Sequence, residues 1–329
     1  MVFSWNIPAW QGLMDWRSRL PHALLLSGRP GLGKGLLAQS FAQSLLCQAP
    51  LDTGMPCQAC ASCGWFVQGN HPDFRLVQPD SLAPESDEEP RKDKKKSSQI
   101  RIEQIRDLEG FLGVGTHRGG LRIILLNPAE AMNTVTQNAL LKSLEEPPPS
   151  TLFFLVSSHV QKLLPTVRSR CQTALIPLPE RREALQWLKE QGVEQPESAL
   201  SAAAGAPLAA MEAASLDGAL TAFLQKLQEP GFDPLDLSHA CGNLEPVVVV
   251  GWLQRWVYDM LQFKMDVAIR YFPGFAPGLQ TAARRTSAAK LLELQRKLIQ
   301  ARSLAQHPLN SRLYYESLFM DYRNILNGK

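Results

Sequence analysis

Residues 22–46 read HALLLSGRPGLGKGLLAQSFAQSLL, an apolar run, a glycine-rich turn and a helical repeat in immediate succession. Ala23–Leu26 is bounded by turn residues, as expected of a strand buried on both faces. Leu37, Phe41 and Leu45 then recur on one helical face. The order is strand, phosphate loop, helix. Such a loop needs glycines so that successive backbone N–H groups turn inward around phosphate oxygens, a lysine for the outer phosphates, and a Ser or Thr hydroxyl next to it for Mg²⁺. Gly28, Gly31, Gly33 and Lys34 meet the first two needs, and Gly35 fails the third.

A chain that cleaves nucleotide also places an acidic pair at the end of a hydrophobic strand, to hold Mg²⁺ and polarise the attacking water. The strand is present as Arg122–Leu126, but Asn127-Pro128 follows it. Asparagine brings no negative charge, and proline no polar side chain. Glu130 lies beyond the strand end and is expected to point elsewhere. Lys34 is retained, so the loop is expected to be able to hold ATP or ADP without hydrolysing it.

Cys47, Cys57, Cys60 and Cys63 are spaced C-x9-C-x2-C-x2-C, which brings four sulfurs to one ion and leaves no open coordination position. The expected metal is a structural zinc that pins a loop too polar to fold alone. Cys171 and Cys241 stand apart and are expected to be buried. A cluster of this kind fits a reducing compartment better than a disulfide framework does. With no basic leader ahead of an apolar core and no run long enough to span a bilayer, a cytoplasmic protein is expected.

The 329 residues suggest two or three domains at about 100–200 residues each. Further short apolar runs at Phe74–Val77, Arg122–Leu126, Leu152–Val156 and Thr173–Ile176 alternate with helical patterns, so residues 1–177 are expected to form an α/β domain with a parallel sheet. Residues 80–99 interrupt it with an acidic then basic stretch. It reads as a solvated, flexible loop, the sharper alternative being that Arg91–Lys96 touches DNA phosphate. Net charge is only +3, from 34 basic and 31 acidic residues, so DNA contact should be local or made through partners.

After Pro179 the strand pattern stops. Residues 178–214 read as a small helical domain, with a helix at Glu183–Gln191 and an alanine-rich helix-turn-helix at Ala199–Ala214 broken by Gly205 and Pro207. Residues 215–329 are helical. Val249, Leu253, Trp256, Met260 and Phe263 make one apolar stripe, Leu291, Leu294, Leu298 and Ala301 a second, and Tyr314, Leu318 and Ile325 part of a third. These are expected to be mostly core, with part of their aromatic-rich face left for subunit contact.

Beyond the loop come Asn138–Pro148, NALLKSLEEPP, and the triplet Ser169-Arg170-Cys171. These motifs, together with cysteines inserted after the loop helix, resemble the bacterial clamp-loader ATPases of the AAA+ class, the gamma/tau and delta-prime subunits of the DNA polymerase III holoenzyme. The resemblance covers the first domain closely and the helical domains only in order and size. It implies an α/β AAA+ P-loop core with a four-cysteine zinc module, a helical lid, and a helical C-terminal collar that packs into a hetero-oligomeric ring.

Within that family the degenerate site is similar to delta-prime rather than to the gamma/tau motors. The resemblance then implies a non-hydrolysing subunit of a DNA-directed DNA polymerase holoenzyme, a nucleotidyltransferase, working beside gamma/tau and delta in loading the sliding clamp onto primed DNA. It also implies that Arg170 acts in trans as an arginine finger on a neighbour's ATP, a task suited to a permanently charged planar fork. A surface salt bridge is the plainer role for such an arginine. An active gamma/tau-type ATPase and a stand-alone zinc-stapled DNA-binding module are the competing readings.

Overall fold

The computed structural model describes residues 2–83, 97–113, 120–229, 231–305 and 310–327. Most of the charged stretch, Arg91–Lys96 included, lies outside the described residues. The chain divides into two compact units, Met1–Glu180 and Arg181–Lys329.

In the first unit, β1 (Ala23–Ser27), β2 (Phe74–Val77), β3 (Arg122–Leu126), β4 (Thr151–Ser157) and β5 (Gln172–Leu175) form one sheet in the order β2-β3-β4-β1-β5. Every pairing is parallel. The strands are close to those expected from the apolar runs, each end shifting by a residue or less. The three central strands β3, β4 and β1 are buried along their whole length, because helices cover both faces and only continuous apolar runs tolerate that.

Around the sheet lie α1 (Ile7–Asp15), α2 (Lys34–Leu46), α3 (Ala61–Val67), α4 (Ile102–Gly113), α5 (Thr134–Glu145) and the single turn α6 (Pro165–Arg168). Phe41 of α2 meets Trp10 of α1 and Phe154 of β4 edge-on, at ring separations of 6.0 and 5.9 Å. Ile105 and Leu108 of α4 and Leu140 and Leu144 of α5 fill the opposite face. Parallel strands put the loops after β1, β3 and β4 at one edge of the sheet, the usual place for a ligand site in an α/β fold.

The second unit is helical throughout. α7 (Arg181–Glu190), α8 (Pro196–Ala202) and α9 (Pro207–Ser215) close over a small core of Ala184, Leu188, Leu200 and Ala210. The break between α8 and α9 falls at Ala204 and Gly205, both left-handed, where Pro207 then starts the next helix.

The remaining helices are α10 (Asp217–Gln228), α11 (Pro234–Ala240), α12 (Pro246–Lys264), α13 (Ala276–Arg284), α14 (Ala288–Leu304) and α15 (Ser311–Leu326). They enclose a larger core built on Trp256, Phe319 and Tyr322, with the Trp256 indole donating to the Tyr322 hydroxyl at 2.8 Å. The expected stripes face inward. Val249, Leu253, Trp256 and Met260 are completely buried, so the stripe on α12 is core rather than subunit surface. The apolar groups left outside are others, Leu292, Ile299 and Leu313 among them.

No helix among the described residues is long and apolar enough to cross a membrane.

Candidate functional site

The glycine-rich loop follows β1, and its shape depends on left-handed backbone. Gly33, at φ 78°, caps the start of α2, and a Cβ there would lie 2.7 Å from the ring of Phe3. That ring belongs to a brace the sequence did not disclose. Phe3 stacks on Trp5 at 4.6 Å, and the Trp5 indole and Asn6 amide both donate to the Leu32 carbonyl, at 3.1 and 2.8 Å. The brace is a single helical turn before α1, too short for any periodicity to mark it.

Lys34 is almost fully buried. Its ammonium donates to the Arg29 carbonyl at 2.6 Å and to Ser158 Oγ, just past β4, at 2.9 Å. Burial lowers its pKa to about 8, while the negative charge of Glu130 works in the opposite direction. Two of the ammonium's three donors are thus engaged by the protein's own acceptors, one in the loop and one past β4.

The position that should carry the Mg²⁺-binding hydroxyl is filled from across the sheet. A Cβ built on Gly35 would lie 2.6 Å from Asn127 Nδ2, at the end of β3. Glycine at 35 and asparagine at 127 are therefore fitted to one another, and neither presents a charge or hydroxyl for a metal. Glu130 does not point away from the loop as expected. A short 3-10 turn at Ala129–Ala131 brings it back, so that Oε1 accepts from Ser158 N at 2.9 Å and lies 3.3 Å from His159 Nδ1. The sequence could not show this, because the turn geometry after Pro128 decides it.

The four cysteines converge as expected. Cys47 ends α2, Cys60 caps α3, and the four Sγ atoms all lie within 4.8 Å of one another. The closest pairs are Cys47–Cys60 at 3.9 Å and Cys57–Cys63 at 4.0 Å. A tetrahedral zinc with bonds of about 2.3 Å needs sulfurs about 3.8 Å apart, so the cluster can hold a metal ion and its spacing is consistent with zinc. Backbone N–H groups of Cys57, Cys60 and Cys63 donate to the sulfurs of Cys47, Cys57 and Cys60, at 3.3 to 3.4 Å, which favours the thiolate form.

The module is also stapled from outside. Ser62 Oγ lies 2.9 Å from His71 Nε2 and bonds the Leu46 carbonyl at 2.6 Å, while His71 Nδ1 accepts from Asp73 N. His71 thus joins the metal module to the start of β2.

Ser169, Arg170 and Cys171 follow α6, where their backbone N–H groups close the turn onto the carbonyls of Pro165, Val167 and Arg168. All three side chains also fold back onto carbonyls of α6. Ser169 Oγ and Arg170 Nη1 donate to the Thr166 carbonyl at 3.1 and 2.9 Å, and Cys171 Sγ to that of Val167 at 3.3 Å. Burial pushes the Cys171 thiol up to about 12, keeping it neutral and inert. Arg170 Nη2 reaches Glu145 Oε1 at 2.6 Å, with about a third of the arginine side chain exposed. In the isolated chain it therefore makes a surface ion pair.

A family model described as "DNA polymerase III, delta subunit" matches residues 14–180, and a second, for the C-terminal part of that subunit, matches residues 218–323. The DNA polymerase III subunit delta' of Pseudomonas aeruginosa is 31% identical over 98% of both chains. The chain belongs to the delta-prime family of DNA polymerase III subunits. Delta-prime relatives from Haemophilus influenzae and Yersinia pestis are 27% and 30% identical, over 86% and 85% of this chain and 84% and 82% of their own. The parallel sheet with its glycine-rich loop, followed by a helical region, is the α/β architecture expected from the sequence.

Metal analysis of the purified chain is expected to find one zinc per molecule. Cys57→Ser and Cys60→Ser should each abolish it and open residues 47–63 to proteolysis; a metal-free chain with that segment fully protected would contradict the assignment. For the loop, an NMR titration of the Lys34 side chain should give a midpoint near pH 8. Because this lies below the value in the unfolded chain, the cost to stability is full below pH 8 and is relieved as pH rises toward the ordinary lysine range. Glu130→Gln should lower the midpoint further, and a midpoint near 10.5 would refute the buried, self-satisfied lysine.

Proposed function

We propose that this chain is the non-hydrolysing delta-prime member of a clamp-loader ring, which supports ATP-dependent loading of the sliding clamp onto primed DNA. It would do so beside gamma/tau and delta subunits, offering Arg170 as an arginine finger to the ATP of a neighbour. The observation that carries the first half is the fit of Asn127 against Gly35, which leaves the Mg²⁺ position without a ligand on either side. Retention of Gly28, Gly31, Gly33 and Lys34 is compatible with holding ATP or ADP, but the Arg29 and Ser158 acceptors already occupy the lysine.

Three features support the second half. Arg170 sits at the surface, its guanidinium is anchored on the Thr166 carbonyl, and several of its N–H groups have no acceptor among the described residues. The zinc-type cluster at Cys47, Cys57, Cys60 and Cys63 has a structural role in this reading, fixing the loop after α2. Residues 178–214 act as the lid and 215–329 as the collar, with the exposed Leu292, Ile299 and Leu313 available to neighbouring collars. An active gamma/tau-type motor would need a hydroxyl at 35 and an acid at 127, and has neither.

The test is reconstitution of the complex with Arg170→Ala in this chain alone. Assembly should survive, while the ATP site served by the finger loses about 10³-fold or more in turnover, seen as lower DNA-stimulated hydrolysis and clamp loading. A complex indistinguishable from the parent would make Arg170 scaffold.

A further inference from the structure

Helix α5 ends on Glu145, with Glu146 as its cap residue. Two carboxylates at a helix C-terminus stand against the local field, because the carbonyl end of the dipole is negative and favours cations. Of the two, Glu145 recovers this through Arg170, whose Nη2 lies 2.6 Å from Oε1. The guanidinium is also tied on another side, since Nη1 donates to the Thr166 carbonyl at 2.9 Å. Two anchors from two different segments, α5 and α6, fix the plane of the fork. They use two of its five N–H donors and leave the others for a further acceptor.

We infer that Glu145 is a positioning residue for Arg170, holding its guanidinium in the orientation that presents the remaining N–H groups to a phosphate bound by the adjoining subunit. This rests on the reading of Arg170 as a finger. The chain tolerates a carboxylate at an unfavourable helix end because it orients a long side chain that would otherwise sample many rotamers. Arg170 is about a third exposed and Glu145 about half, and the pair is single-pronged, so its influence is modest, about fivefold in rate rather than the whole effect of the finger. Glutamine at 145 keeps a carbonyl oxygen to accept from Nη2, whereas alanine keeps nothing.

The experiment uses the reconstituted complex with gamma/tau and delta, carrying Glu145→Ala, Glu145→Gln, Arg170→Ala or the Glu145→Ala/Arg170→Ala pair in this chain. Glu145→Ala should lower DNA-stimulated kcat for ATP about fivefold, with KM and assembly unchanged. Glu145→Gln should restore most of it, and Glu145→Ala should have no further effect once Arg170 is alanine. If Arg170→Ala impairs turnover but Glu145→Ala does not, the positioning role fails and the finger stands. If Glu145→Ala remains harmful in the Arg170→Ala background, Glu145 acts elsewhere and the inference is wrong. A silent Arg170→Ala would remove the finger itself.

Discussion

The amide of Asn127 lies where a side chain at position 35 would have to go, and much of the first unit's chemistry depends on that contact. β1 and β3 are not neighbours; β4 runs between them. Their C-terminal ends meet above it, where Ser158 binds both Lys34 and, through its backbone, Glu130. A metal-holding site at this edge would need a hydroxyl from α2 and acids from the end of β3. Here glycine stands at 35 and asparagine at 127, and the two lie against each other. A side chain added at 35 alone would meet the Asn127 amide, so the two positions are coupled and their effects will not add.

The loop is held by protein groups. Trp5 and Asn6 occupy the Leu32 carbonyl, the Phe3 ring covers Gly33, and the Lys34 ammonium turns back on the Arg29 carbonyl. The same economy of local contacts appears at the other two centres. Cysteine N–H···S bonds shape the metal cluster before any ion is considered, and the Ser169–Cys171 side chains cap the helix that precedes them. Each centre sits on a helix terminus, where backbone groups lacking helical partners are available to be recruited.

What the sequence disclosed and what it hid follow from the range of the interactions. The strand, loop and helix at residues 22–46, the cysteine cluster and the missing acids at Asn127-Pro128 are local patterns, readable from composition and spacing. The inward stripes on α12 and α14 were legible for the same reason, since burial on a helix follows its own period. The brace at Phe3–Asn6 bonds residues 26 and 27 positions away, and no pattern announces it. Glu130 departs from the sequence expectation because one 3-10 turn reverses its direction. The Glu145 partner of Arg170 lies 25 residues upstream, and its only trace in the sequence was a pair of acids at the wrong end of a helix.

The central claim is that this chain has no hydrolytic centre of its own. The most direct measurement is Mg²⁺-dependent ATP turnover by the purified chain, with Lys34→Ala as the control for contaminating activity. The expected result is no turnover above that of the control. Hydrolysis that requires Mg²⁺ and disappears with Lys34→Ala would contradict it, because it would trace catalysis to the loop whose metal position Asn127 and Gly35 are held to close.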